Sequence, residues 1–132
     1  MKKLLHPNIL KLVDGFQYTE HIYIIITEIC SGGELFDAIE KNSHLKISDA
    51  QRVLRDVLSA VQYMHDMNVV HRDLKPDNIL LSVPWISGAI PPVKIIDFGL
   101  AADWKGTPLY RRTGTPYYIA PEVLLAKENV RG

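Results

Sequence analysis

The octapeptide His71-Arg72-Asp73-Leu74-Lys75-Pro76-Asp77-Asn78 sets an acid, a base and an amide side chain within eight positions, directly after the apolar pair Val69-Val70. A second turn, Asp97-Phe98-Gly99, leaves another apolar run, Val93-Lys94-Ile95-Ile96. Two turns that each carry a carboxylate and each leave a short strand suggest acids converging on one cation. In-line phosphoryl transfer asks little covalent chemistry of a protein. It needs a base for the attacking hydroxyl and carboxylate or amide oxygens that hold Mg²⁺ against a polyphosphate. Asp73 is the candidate base; such help is worth about 10²–10⁴ in rate. An ordinary Asp, with a pKa near about 4, is a weak base, so its main contribution would be to orient the hydroxyl. The competing reading of Asp73 is a turn residue that bonds its own backbone.

These turns need a scaffold. Met1 to His6 reads as the end of a helix stopped at His6-Pro7, because the residue before proline disfavours the α region. Ile9–Val13 and His21–Thr27, rich in β-branched residues and punctuated by Asp14-Gly15 and Thr19-Glu20, read as two antiparallel strands. Glu34 to Lys41 carries Leu35, Phe36 and Ile39 on one helical face. Ser48 answered by Gln51 resembles a capping box. It opens a helix with Ala50, Val53, Leu54, Val57, Leu58, Val61 and Met64 at spacings of three and four. That helix should end near Asp66 or Met67, with Asn68 available for a left-handed stop. Its broad apolar stripe implies cover on more than one side. Val69-Val70, Ile79–Leu81 and Val93–Ile96 read as very short strands. Ser82–Pro92, with three prolines, is a long hairpin connection expected on the surface.

Lys and Arg balance Asp and Glu at 15 each, which gives no global field for nucleic acid or an anionic membrane. One cysteine, Cys30, excludes an internal disulfide and fits a reducing interior. No apolar run approaches the roughly 18 residues of a membrane span, and no signal-peptide core follows Met1-Lys2-Lys3. The expectation is an intracellular protein, cytoplasmic with the nucleus also open to it.

His71-Arg72-Asp73 with Asn78, then Asp97-Phe98-Gly99, then Ala120-Pro121-Glu122, resembles the protein-kinase signature set over nearly the whole chain. Lys75-Pro76, and Gly114-Thr115 with Tyr118, are similar to serine/threonine kinases. His6-Pro7-Asn8-Ile9, Ser31–Asp37 and Tyr117–Glu122 are most similar to the calcium/calmodulin-dependent group, and within it to calcium-dependent kinases of plants and protists. The resemblance implies an α+β, protein-kinase-like fold in part. Residues 1–28 would be the end of the small lobe, 29–33 the hinge, and 34–132 the large lobe through the activation segment. It further implies an ATP- and Mg-dependent transferase acting on Ser or Thr of a protein substrate.

The resemblance assigns roles residue by residue. Thr27 would be a small gatekeeper, and Glu28 and Cys30 would read adenine through backbone groups. Glu34 would bond the ribose, with a carboxylate at a helix N-terminus as its other reading. Leu80 and Ile96 would line the adenine pocket, and Leu12 would stack toward His71 and Phe98. Asn78 and Asp97 would hold Mg²⁺. Lys75 would neutralise the moving phosphoryl group, and Thr115 would tie the activation segment to Asp73 and Lys75. His71 would pack rather than act as acid or ligand, and Cys30 also reads as a small unreactive hydrophobe. Pro116 to Ala120 would form a shelf for the substrate residue after the acceptor. Arg111 stands three before Gly114, where many relatives carry a phosphorylated threonine. That departure fits relatives switched by a calcium-sensing segment elsewhere in the polypeptide; no EF-hand loop lies in these residues.

The family's glycine-rich phosphate loop, strand lysine and its partner glutamate are not among the 132 residues, so the clamp on the α and β phosphates is missing. Little or no transferase activity is expected of this piece alone, together with an exposed apolar patch. The competing class is a non-catalytic kinase-like scaffold or nucleotide- or peptide-binding module.

Overall fold

The computed structural model of the chain describes residues 3–106, 109 and 112–125. Its centre is α2 (Ile47–Asp66), which lies under two apolar clusters at once. Val53 joins Leu35, Ile79, Leu81, Ile90 and Val93 in the first. Ala60 and Met64 join Leu4, Ile9 and Ile95 in the second, and Val57 packs against both. Val53, Ala60 and Met64 recur at seven and four, so they fall on one helical face. Fully burying a valine or methionine side chain contributes roughly 1.5–3 kcal/mol, and the methyl of Ala60 less. The other half of the apolar stripe has no such cover: Leu54 and Leu58 are 57% and 62% exposed. This corrects the expectation of cover on several sides and accords with that of an exposed apolar surface.

Among the described residues there are three two-stranded antiparallel sheets, two of which meet α2 through β3 (Val69–Val70) and β5 (Val93–Ile95). β1 (Leu12–Gln17) pairs with β2 (Tyr23–Thr27). The first strand starts later than its sequence suggests and runs through Asp14-Gly15: Val13 is the extra residue of a bulge between Leu12 and Asp14, after which Asp14 and Gly15 pair in register with Ile26 and Ile25. Ile9 instead bridges Ile95, and Leu10 N–H donates to the Ile95 carbonyl. β3 (Val69–Val70) pairs with β6 (Ala102–Asp103), and β4 (Ile79–Leu81) pairs with β5 (Val93–Ile95).

The helix termini depart from expectation in two places. Residues 3–6 are not helical; Leu5 N–H is taken by the Tyr63 hydroxyl instead. Residues 1 and 2 lie outside the described residues. The capping box does not form: Lys46 is the N-cap, with no side-chain cap bond. Asp49, in the first turn, turns its carboxylate inward to accept Ile90 N–H at 3.0 Å, and Asp56 accepts Val93 N–H at 3.1 Å. These two acids pin the far end of the 82–92 connection. Hence Ile90 is buried and Trp85 packs on the first cluster, while Val83 and Ile86 stay exposed. The left-handed stop at Asn68 is present, with φ 57°. α1 (Leu35–Asn42) buries Leu35 with Ala38 and Ile39 beside it, but Phe36 points outward.

Candidate active site

The segment 71–78 is held by its own side chains. His71, buried at 2% exposure, accepts Asp73 N–H at Nδ1 (3.2 Å), which leaves Nε2–H to donate to the Ile96 carbonyl (2.9 Å). Its ring also meets Phe98 edge-on, with centroids 5.0 Å apart. Both nitrogens are thereby engaged, so the imidazole is a brace between the two acidic turns. A 3₁₀ turn, Pro76–Asn78, then swings Asn78 back. Its Nδ2 donates to the Asp73 carbonyl (2.8 Å) and carboxylate (2.9 Å). The Asn78 carbonyl accepts Ile96 N–H at 3.0 Å. Ile96 is thus tied on one side to His71 and on the other to Asn78, and the next residue is Asp97.

Asp73 is the most heavily bonded acid of the site. Thr115 donates to its Oδ1 from both N–H (2.8 Å) and hydroxyl (2.7 Å). Lys75 Nζ stands 3.5 Å from Oδ2 and donates to Thr115 Oγ1 at 2.7 Å. Burial on its own would push the Asp73 carboxyl up. The Thr115 bonds, the Lys75 charge and the Asn78 amide outweigh it, and the pKa lies below the ordinary value. Asp73 is therefore ionised at neutral pH, an oriented acceptor and a weak base.

Two backbone distortions sit at these turns: Arg72 has φ 70° and Asp97 has φ 56°. Left-handed conformations are uncommon outside glycine and gather at functional turns. The Asp97 Oδ1 accepts Gly99 N–H at 3.0 Å, a local bond that favours this conformation. Arg72 Nε donates to the Leu100 carbonyl at 2.6 Å.

The two acids open onto different cavities. Asp97 lines one of about 630 Å³ together with Thr27, Leu10, Phe98 and Gly99. Asp73 lines one of about 210 Å³ with Gly114, Thr115, Tyr118, Ile119 and Ala120. Thr27 and Asp97 are brought together; Leu10, and not Leu12, shares the cavity with Phe98, because Leu12 pairs with Thr27 in the hairpin and lines a groove beside Phe16. Glu34 and Leu80 form an isolated bridge, with the Glu34 side chain exposed at the start of α1 and making no cap bond. Residues 31 and 32 are pressed against β4 and the residue after it: Ser31 and Gly32 N–H donate to the Ser82 and Leu81 carbonyls. A Cβ on Gly32 would lie 2.5 Å from that of Leu81, so only glycine fits there.

For a nucleotide and its cation, the donor chemistry fits. Among the described residues no hydrogen bond engages the Glu28 carbonyl or the Cys30 N–H, the pair a planar heterocycle would need. Asn78 Nδ2 is committed to Asp73, so any hard oxygen ligand from this side chain would be its amide Oδ1. No group of three or more His, Cys, Asp or Glu lies together among the described residues. A cation would rest on one carboxylate and one amide and keep water and phosphate oxygens, the habit of Mg²⁺. Burial and the neighbouring Glu28 charge push the Cys30 thiol up, so it stays protonated. Thr107, Tyr110 and Arg111 lie outside the described residues. Among functional features the sequence reading missed, the Lys94–Glu28 ion pair (2.8 Å) is the clearest; a lysine alternating with apolar residues in a strand reads as ordinary solvent-facing polarity.

The protein kinase domain family model matches residues 1–132. The chain belongs to the protein kinase family. It is 45% identical to calcium/calmodulin-dependent protein kinase type 1 of Macrobrachium nipponense over 96% of this chain and 36% of that one. To calcium-dependent protein kinase 5 of Plasmodium berghei (strain Anka) it is 41% identical, over 96% of this chain and 22% of the relative. Calcium-dependent protein kinase 3 of Plasmodium yoelii yoelii is 42% identical over 94% of this chain and 23% of its own length. The chain therefore spans between about a fifth and a third of these relatives. No helix among the described residues is long and apolar enough to cross a membrane.

Proposed function

We propose that these residues belong to a serine/threonine protein kinase that moves the γ-phosphoryl group of ATP to a hydroxyl of a protein substrate. Residues 1–28 end the small lobe, 29–33 form the hinge, and 34–132 carry the catalytic machinery inside the cell. The observation that carries this reading is Asp73, ionised and fixed by Thr115, Asn78 and Lys75, beside a shelf made by Tyr118, Ile119 and Ala120. Asp73 orients the acceptor hydroxyl and takes its proton late. Lys75 places a positive charge where the transferred group passes; fixed charges and donors of this sort are worth about 3–4 kcal/mol. Thr27, Glu28, Cys30, Glu34, Leu80 and Ile96 would surround the nucleoside, while Asn78 and Asp97 would hold Mg²⁺, which would supply positive charge against the phosphate oxygens. The names of the relatives support control by calcium through a segment outside these residues.

The 132 residues alone turn over far below the roughly 1–100 s⁻¹ usual for kinases, since none of them supplies the phosphate-loop clamp. A second reading, a scaffold that binds nucleotide or peptide, draws on one observation: Asp73 and Asp97 face separate cavities. Thermal unfolding of the chain with ATP separates the two readings. A kinase site gains stability from ATP plus Mg²⁺ beyond ATP alone, and Asp97→Asn removes that increment. A response indifferent to Mg²⁺ would favour the scaffold.

A further inference from the structure

The Lys94 ammonium reaches across three separate segments. It donates to the Pro7 carbonyl at 2.8 Å and pairs with Glu28 Oε1, also at 2.8 Å. That same Oε1 accepts Lys11 N–H at 2.7 Å, and Glu28 N–H donates to the Lys11 carbonyl at 3.0 Å. Alongside, Asn8 Nδ2 donates to the Val93 carbonyl and Ile95 N–H to the Asn8 carbonyl, each at 2.9 Å. So the 7–11 segment is laced to β5, and one lysine on β5 carries the tie on to Glu28. The Glu28 side chain is turned toward Lys94 and the Lys11 amide, while its carbonyl stays uncommitted.

We propose that Lys94 is a positioning residue: through Glu28 it fixes the hinge backbone against the strand that leads to Asp97, so that adenine and cation are presented at a set separation. The inference rests on the kinase reading for its ligand but not for its geometry. Both side chains are partly exposed, at 17% and 29%, so the contribution lies in orientation more than in global stability. A two-ended restraint of this kind lowers the ordering cost that a ligand must otherwise meet on binding.

The test compares the full chain with Lys94→Met, Lys94→Arg, Glu28→Ala and the Met/Ala double variant, by amide exchange without nucleotide and by ATP affinity with Mg²⁺. In Lys94→Met we expect exchange at Lys11 and across 29–30 to rise by about tenfold while β4 and β5 keep their protection. ATP should bind about three- to tenfold more weakly. The arginine, which can span the same carboxylate, should restore both readouts. The double variant should be no worse than either single change. Glu28→Ala carries the same test should Lys94→Met fold poorly. Faster exchange throughout β4 and β5, additive losses, or no rescue by arginine would overturn the positioning role. Failure of the unaltered chain to bind ATP would contradict the kinase reading alone, because the exchange arm then still decides the latch.

Discussion

Asp73 concentrates the chemistry at the scale of single residues. Its low pKa comes from donors that survive burial, chiefly the Thr115 hydroxyl and N–H. Because the folded-state value lies below the unfolded one, its contribution to stability is present above the ordinary carboxylate range. It is lost as pH falls through the lowered folded value. Thr115→Val removes the hydroxyl and keeps the N–H. The Asp73 carboxyl should then titrate closer to its ordinary pH, as followed by carboxyl-carbon NMR; an unchanged titration would show that Thr115 does not hold the charge. The sequence made the identity of Asp73, Asn78, Asp97 and Thr115 readable because each motif carries its own chemistry at short range. It did not reveal the left-handed backbone of Arg72 and Asp97, since neither residue is a glycine that would announce it. Nor did it reveal the partner of Lys94, a residue 66 positions away (94 − 28).

Among the elements, α2 was legible and its beginning was not. A stripe of apolar residues over about four turns fixes a helix whatever happens at its ends, but the capping box depends on one hydroxyl, and Ser48 lost to a cap two residues earlier, at Lys46. The acid at Asp49 is used across the fold instead. Asp49→Ala should strand the buried Ile90 N–H and cost about 1–3 kcal/mol in chemical denaturation. Leu58→Ser, on the uncovered face, should shift stability by no more than about 0.5 kcal/mol. Equal losses would mean that the exposed face is packed in solution. Ile95→Ala, at the meeting point of Ile9, Ala60 and Met64, should cost about 2–5 kcal/mol. Strand β6 had no signature at all, since a two-residue strand is made by its distant partner Val69–Val70, and β1 was misplaced because Asp14-Gly15, which reads as a turn, pairs in register with Ile26 and Ile25 beyond a bulge at Val13.

At the scale of the whole molecule, the two acidic turns are far apart in sequence and are drawn together by Ile96, which His71 and Asn78 hold from either side. The long helix beneath keeps β4 and β5 in place, and Gly32 anchors the segment after β2 on β4. The central claim is that Asn78 and Asp97 act together as the cation seat of a nucleotide site. Mn²⁺ in the place of Mg²⁺ tests this directly, because it broadens the NMR signals of nearby nuclei. With ATP and Mn²⁺ together, the amides of Asn78, Asp97 and Gly99 should broaden first, and Asp97→Asn should abolish the effect. Broadening that centres elsewhere, or that persists unchanged in Asp97→Asn, would contradict the account.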